Sequence, residues 1–282
     1  MTEIITDTRG VVLPARYQIR RIDGCIRDWV ISMGIEGFML RDDSLWKPIL
    51  PYPKVGNALR AFTYLAGHYD HSIYSGLSYC IVDTQYTFRR PESVSVGGWL
   101  YWDELDPDSH DFERKGRKKM VYAMDFPIVC IALAFDAFSQ RDYQATTDML
   151  QLIPLQSQLG AFLGSVDPRP YETWGPTDYG QVLIRSGCVT KPGYEGRGLG
   201  TALNHFVMLE AKALGYRGLS VGLGNRSILR SYTHAPRGCR AQVLAHWNFE
   251  DVQLEDEEGA IIMPYRGTGM RDGWEVWVDL TG

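Results

Sequence analysis

Between residues 180 and 215 the chain admits one local architecture. "GQVLIRSGCVT" (180–190) is a β-rich run, and "KPGYEGRGLG" (191–200) sets Gly196, Gly198 and Gly200 at every second position. "TALNHFVMLEAKALG" (201–215) then carries Leu203, Phe206, Val207, Glu210 and Leu214 at helical spacing. The text reads as a strand, a tight loop and a helix that stops at Gly215. Such a junction collects backbone N–H groups with no helical partner, and the helix dipole adds partial positive charge to them. Phosphate is the natural guest. Glycine lets the backbone turn tightly and leaves room for an anion to reach the amides. A tight turn without a ligand is the competing explanation.

Around this unit, strands and helices alternate. "YQIRRI" (17–22) reads as a strand, and "DGCIRDWVISMG" as a helix with Asp23 at its start. Residues 54–73 place Ala58, Phe62, Leu65 and Tyr69 on one helical face. "GLSYCIVDT" (76–84) and "SVSVGGWLYW" (93–102) are β-rich runs either side of "RRPES", a turn with proline. "DELDPDSHDF" and "ERKGRKKM" are acidic and then basic, which predicts a solvated excursion in preference to a docking surface. "FPIVCIALAF" (126–135) reads as a buried strand, and "QATTDMLQLIPLQSQLGAFLG" as helix divided or kinked at Pro154. After the helix at 201–215 come a strand "RGLSVGL", a short helix "NRSILRSYTHA", and strands "GCRAQVLAHW" and "WEVWVDL". The last two flank an acidic loop, "EDVQLEDEEG". No repeat or linker divides the 282 residues, so the expectation is one mixed α/β domain over 1–282.

Composition narrows the function classes. A net charge of -5 gives no global reason to expect nucleic acid, and the basic run 114–119 lacks interleaved aromatics. The five cysteines (Cys25, Cys80, Cys130, Cys188, Cys239) are odd in number and contain no CxxC pair, which argues against a disulfide framework and a cysteine zinc site. "DHSIYSG" and "HDFE" offer no HExxH or paired-histidine metal spacing, and no metal is expected. "MTEIITDTRG" lacks a signal pattern, and the most apolar run, Phe126 to Phe135, is too short to span a bilayer. A soluble cytoplasmic protein with no membrane partner is the expectation.

The phosphate ligand can be narrowed further. A Walker loop needs GxxxxGK[ST], and no lysine follows Gly198 or Gly200. The dinucleotide fingerprint needs GxGxxG, whereas Gly196, Gly198 and Gly200 read GxGxG. The segment instead resembles the acyl-coenzyme A loop of GNAT-type N-acyltransferases, [QR]xxGx[GA] between a central strand and a helix. Members often read "YRGRGIG" where this chain reads "YEGRGLG" (194–200). The family's later "NxxAxxLY" is matched by "NRSILRSY", from Asn225 to Tyr232. The resemblance covers about residues 180–250, the expected acyl-CoA-binding core, and leaves about 103–178 and 250–272 as insertions.

The resemblance implies a central, mostly antiparallel twisted sheet flanked by helices. It implies transfer of an acetyl group from acetyl-CoA to a primary amine, a small molecule being the preferred acceptor. Cys188, Val189 and Thr190 would lie beside the cofactor, with a backbone N–H near Val189 facing the thioester oxygen. The loop Glu195, Gly196, Arg197, Gly198, Leu199, Gly200 and Thr201 would hold its phosphates. Asn225 would orient pantetheine or cap its helix, and Tyr232 would be the acid for the departing thiolate or a packed helix tyrosine. Glu36, in "MGIEGFM", lies near where some arylalkylamine-acetylating relatives carry a glutamate base; a surface position is the alternative. Glu195 departs from the signature, and a carboxylate beside a diphosphate is repelled. The expectation is that it turns outward, toward Arg197 or Arg226. Two other classes use the same residues: a coenzyme A-binding protein without transferase activity, and different thioester chemistry such as O-acylation or decarboxylation. Trp99, Tyr101, Trp102, Trp174 and Trp247 are candidates for an aromatic-amine pocket or for ordinary sheet packing.

Overall fold

In the computed structural model, which describes residues 3–50, 55–256 and 258–282, the expected β-runs build a seven-stranded sheet. Lys54 of the second expected helix and Glu257 of the acidic loop lie outside the described residues. The strands are β1 (Tyr17–Arg21), β2 (Tyr79–Asp83), β3 (Ile128–Asp136), β4 (Val182–Thr190), β5 (Gly218–Leu223), β6 (Arg240–Asn248) and β7 (Asp272–Asp279). Their spatial order is β1-β2-β3-β4-β5-β7-β6. Every neighbour is antiparallel except β4 with β5.

Helices cover both faces. On one face lie α1 (Arg27–Ile35) and α2 (Val55–Ile73), joined by α3 (Phe112–Ala123), α4 (Tyr143–Leu152) and α5 (Gln156–Ser165). Pro154 separates α4 from α5, as its missing N–H requires. On the other face α6 (Leu199–Ala213) buries Leu203, Phe206 and Val207 among Tyr79, Ile81 and Val129. Tyr79 and Phe206 meet edge to face at 4.9 Å. Each such fully buried side chain contributes about 1.5–3 kcal/mol. The last α-helix among the described residues is α7 (Arg226–Thr233).

Three expectations are corrected. Residues 93–102 are not a β-run: Pro91–Val96 is a short helix, and only Trp99–Leu100 is strand. Pro91 sits in the first helical turn and Gly97 closes the helix at φ 78°, so punctuation outweighs the alternating SVSV text. The basic run is not merely solvated, since α3 buries Phe112 and Met120 and sends Arg117 inward to Glu36. The stretch 103–178 is not wholly an insertion either: β3 lies within it, buried along its length, between β2 and β4.

The register of β4 with β5 matters most for the site. Pairing runs only from Val182↔Gly218 to Ile184↔Ser220. Beyond that point β4 stays on β3 as far as Thr190↔Cys130, while β5 stays on β7 as far as Leu223↔Trp274. The two parallel strands therefore part, leaving one edge of Arg185–Thr190 without a strand beside it.

Candidate active site between the parted strands and the glycine loop

The loop after β4 turns on glycine. Gly196 and Gly198 adopt φ of 74° and 76°, which L side chains rarely take, and a Cβ at either would meet no atom within 4 Å. Gly198 is also the N-cap of α6 and has no side chain to satisfy the first amides. The unpaired N–H groups of Leu199, Gly200 and Thr201 therefore open the helix toward the loop. Gly200 faces inward: a Cβ there would lie 3.6 Å from Thr190 Oγ1 and 3.8 Å from Cys188 Sγ. Beside the loop is a hollow of about 620 Å³ lined by Gly198, Thr201 and His205, with Arg9 and Arg237 at its rim. Arg237 has no ion pair among the described residues, whereas Arg9 binds Asp7 and Glu210.

Glu195 turns back from the loop, but not toward Arg197 or Arg226. Its Oε2 accepts from Gly193 N–H at 2.7 Å, and its Oε1 lies 3.7 Å from Arg41. Arg226 instead pairs with Asp272, and Arg197 donates to Tyr17 Oη and Gly193 O while stacking over Tyr194 at 4.8 Å. Tyr194 donates to Asp83 at 3.0 Å, tying the loop to the end of β2.

Arg41 joins the loop to the core. It donates to Glu36 Oε2 at 2.9 and 2.7 Å and to Thr190 O at 2.5 Å. Arg117 holds the other oxygen, Glu36 Oε1, at 2.8 Å. Glu36 is thus no surface residue: it is 1% exposed in a π-helical turn after α1, and both oxygens are occupied by guanidinium groups. Asn225 is the N-cap of α7, accepting from Ser227 N–H at 2.8 Å and donating to Asp43 at 3.2 Å.

The gap itself is lined by polar groups from three elements. Arg185 is buried and donates to Leu133 O, to Gly187 O at 3.0 Å and to Asn204 Oδ1 at 2.8 Å. Asn204 donates in turn to Ser231 Oγ at 3.1 Å. Tyr232, the next residue on α7, is 1% exposed. Burial pushes its phenol above the usual range, while the Arg185 guanidinium pulls it back. The neighbouring Cys130 thiol lowers that of Cys188, helped by Arg185 and opposed by burial, while the thiol of Cys130 is raised.

Backbone direction divides Cys188, Val189 and Thr190. Lys191 N–H donates to Val129 O at 2.8 Å, so residues 191 and 189 spend their N–H groups on β3. The alternation turns the N–H groups of Cys188 and Thr190 toward the gap. Val189 thus presents no N–H to the gap, whereas its neighbours Cys188 and Thr190 do.

The aromatics do not form one pocket. Trp99 and Trp102 line a cleft of about 1230 Å³ between α1, α2 and the 84–103 segment, which no residue of β4, β5 or the glycine loop touches. Tyr101 bonds Ser93 inside the core, Trp174 packs on Trp277, and Trp247 on Phe162. No helix among the described residues is long and apolar enough to cross a membrane, and none of their His, Cys, Asp and Glu side chains cluster as a metal site.

No protein-family model and no curated protein matches the sequence. Solved structures do. The C-terminal condensation domain of Ebony, in complex with beta-alanyl-dopamine, aligns over 93% of this chain and 97% of its own at a TM-score of 0.57 and 14% identity. Arylalkylamine N-acetyltransferase 2 from Aedes aegypti aligns over 95% and 100% at 0.54 and 12% identity. An agmatine N-acetyltransferase, a mutant in its apo form, aligns over 93% and 98% at 0.53 and 12%. The chain has the GNAT fold.

Within the GNAT fold, sequence reasoning missed Arg41, Arg185, Asn204 and Arg237. Arg185 left a trace, a charge inside the apolar run "VLIRSG". Asn204 lies in the helix that the sequence marks, but nothing in its spacing points to Arg185, and Arg41 and Arg237 lie on segments whose text carries no motif.

Proposed function

We propose that the protein moves an acetyl group from acetyl-CoA to the primary amine of a small molecule. The observation that carries this reading is the parting of β4 from β5 beside the glycine loop and the N-terminus of α6. An extended thioester arm can pair with the free edge of β4 there while its diphosphate meets the loop amides. The amine-acetylating activities of two of the structural neighbours agree with it. Amides from Gly196 to Thr201 would hold the diphosphate, with Arg197 alongside and Arg237 near the adenylate in the adjoining hollow. Cys188, Val189 and Thr190 would flank the arm, and the Cys188 N–H would face the developing oxyanion. The amine nitrogen attacks the thioester carbon, the C–N bond forms, the C–S bond breaks, and Tyr232 gives its proton to the leaving thiolate. The proton lost by the nitrogen restores the phenol through solvent. Asn225 shapes the site by capping α7.

Calorimetric titration of acetyl-CoA into the protein tests the reading. Binding near a micromolar Kd, about -8 kcal/mol, is expected. Gly200→Asp is the informative variant, because Gly200 has no positive φ and an acid in the first helical turn favours the helix. It should fold and lose binding by at least tenfold. No binding to folded wild type, or unchanged binding in that variant, would remove the reading. Glu195→Gln should tighten acetyl-CoA by about threefold to fivefold at low salt, since a half-exposed charge near the diphosphate contributes up to about 1 kcal/mol. The gain should shrink at high ionic strength.

A further inference from the structure

One buried carboxyl near the gap has no part in the steps above. Leu219, Val221 and Leu223 of β5 pack into the α6 core together with Trp274, Val276 and Val278 of β7. The alternate residues, Ser220 and Gly222 on β5 and Glu275 on β7, therefore face the opposite side, where α1 and α2 lie. Ser220 is the residue at which β4 and β5 cease to pair. Its hydroxyl donates to Glu275 Oε1 at 2.7 Å, so the carboxyl sits at the crotch of the parted strands. Glu275 Oε2 has no hydrogen bond among the described residues.

The space beside that free oxygen is open. Gly222 is opposite Glu275 in the register and is exposed, and a Cβ on it would have Glu275 Oε2, at 3.5 Å, as its sole neighbour within 4 Å. The strand pair β6–β7 also slips register between Glu275 and Val276, an irregularity of the kind that re-aims a side chain. A carboxylate that is 8% exposed and lacks a directly bonded cation is costly unless something positive completes it. The nearby charges are Asp167 and Arg169, which are bonded to each other at 2.7 Å.

We propose that Glu275 receives the ammonium group of the acceptor at the crotch of the strands and takes its proton. The role in transfer rests on the acetyltransferase reading; the ammonium site does not. One proton passes from the alkylammonium nitrogen to Glu275 Oε2, leaving a neutral amine with its lone pair and a carboxylic acid. The amine attacks the thioester, and Glu275 returns its proton to solvent once product has left. Gly222 supplies the room, because any side chain there would stand over the carboxylate. Burial, strengthened by Asp167 and opposed by Ser220 and Arg169, raises the carboxyl to about 7. The ionised form, which binds ammonium, therefore predominates above that pH, and kcat/KM for the amine should rise through it.

The test follows the carboxyl itself. Protein carrying 13C-labelled glutamate side chains is titrated by NMR, with the Glu275 signal assigned from Glu275→Gln. Phenethylamine, tryptamine and 1,4-diaminobutane are the probes, and phenethyl alcohol is the uncharged control. At least one amine should lower the Glu275 midpoint by half a unit or more, the alcohol should not, and Gly222→Leu should abolish the shift while circular dichroism is unchanged. A midpoint unmoved by all three amines in wild type overturns the proposal. With acetyl-CoA present, Glu275→Gln should lower kcat/KM for the responsive amine at least tenfold and erase the rise near pH 7. A moved midpoint with no acetylated product by mass would uphold the ammonium site and sink the acetyltransferase reading.

Discussion

Glu36→Ala should lower stability by about 3 kcal/mol, at the lower end of the range for breaking a buried ion pair. The carboxylate is 1% exposed and serves two guanidinium groups, Arg41 at 2.7 Å and Arg117 at 2.8 Å. Removing it affects them unequally. Arg117 is 42% exposed and can turn to water, so little of the cost falls there. Arg41 is 20% exposed and is pinned by Thr190 O, so it would stay behind as a poorly compensated charge. The midpoint of urea unfolding would fall with little change in slope. Acetyl-CoA affinity should fall too, because Arg41 holds the end of β4 and faces Glu195. Glu36→Gln separates this role from proton abstraction. If Glu36 ties the loop to α1, Gln should weaken stability and binding together and leave the acid limb of kcat/KM in place. If it also abstracts the proton, Gln should erase that limb as well.

The same residues show how far the sequence could be read. The unit from β4 through α6 was legible because its causes are local: apolar alternation, glycines at positive φ, and a helical period ending at Gly215. Asn225 was half legible, since capping is a local preference and the structure shows the cap. The Arg41–Glu36–Arg117 triad was not. It gathers residues from a π-helical turn, the segment after it and a helix some 80 positions on, and no spacing rule connects them. The partner of Glu195 escapes the sequence for that reason, because proximity in the chain points to Arg197 whereas Arg41 arrives through the fold. Which amides of β4 face the gap was beyond the text as well. That depends on the register with β3, and a slip of one residue would exchange Cys188 for Val189.

Tyr232→Phe should lower kcat by about 10²-fold or more while leaving KM for acetyl-CoA within about twofold. The phenyl ring keeps the packing of Tyr232 among the residues of the α6 core, and the loop amides proposed to meet the diphosphate are untouched. The lost group is a phenol held in the gap beside Arg185 and Cys188. Its pKa is raised by burial, so in wild type the acid stays protonated and any alkaline fall in kcat attributable to it lies above pH 10. A raised phenol is a reluctant donor, and in the proposed transfer Arg185 would stabilise the phenolate left behind. Arg185→Met should therefore resemble Tyr232→Phe in kcat but add a loss of stability, because Leu133 O, Gly187 O and Asn204 Oδ1 lose their donor. The double variant decides between linked and separate roles. If Arg185 works through Tyr232, removing both should cost kcat scarcely more than removing the phenol alone. If the two losses multiply, Arg185 acts on the transfer by a route separate from the phenol, whereas an unchanged kcat in Tyr232→Phe would make Tyr232 a packed tyrosine.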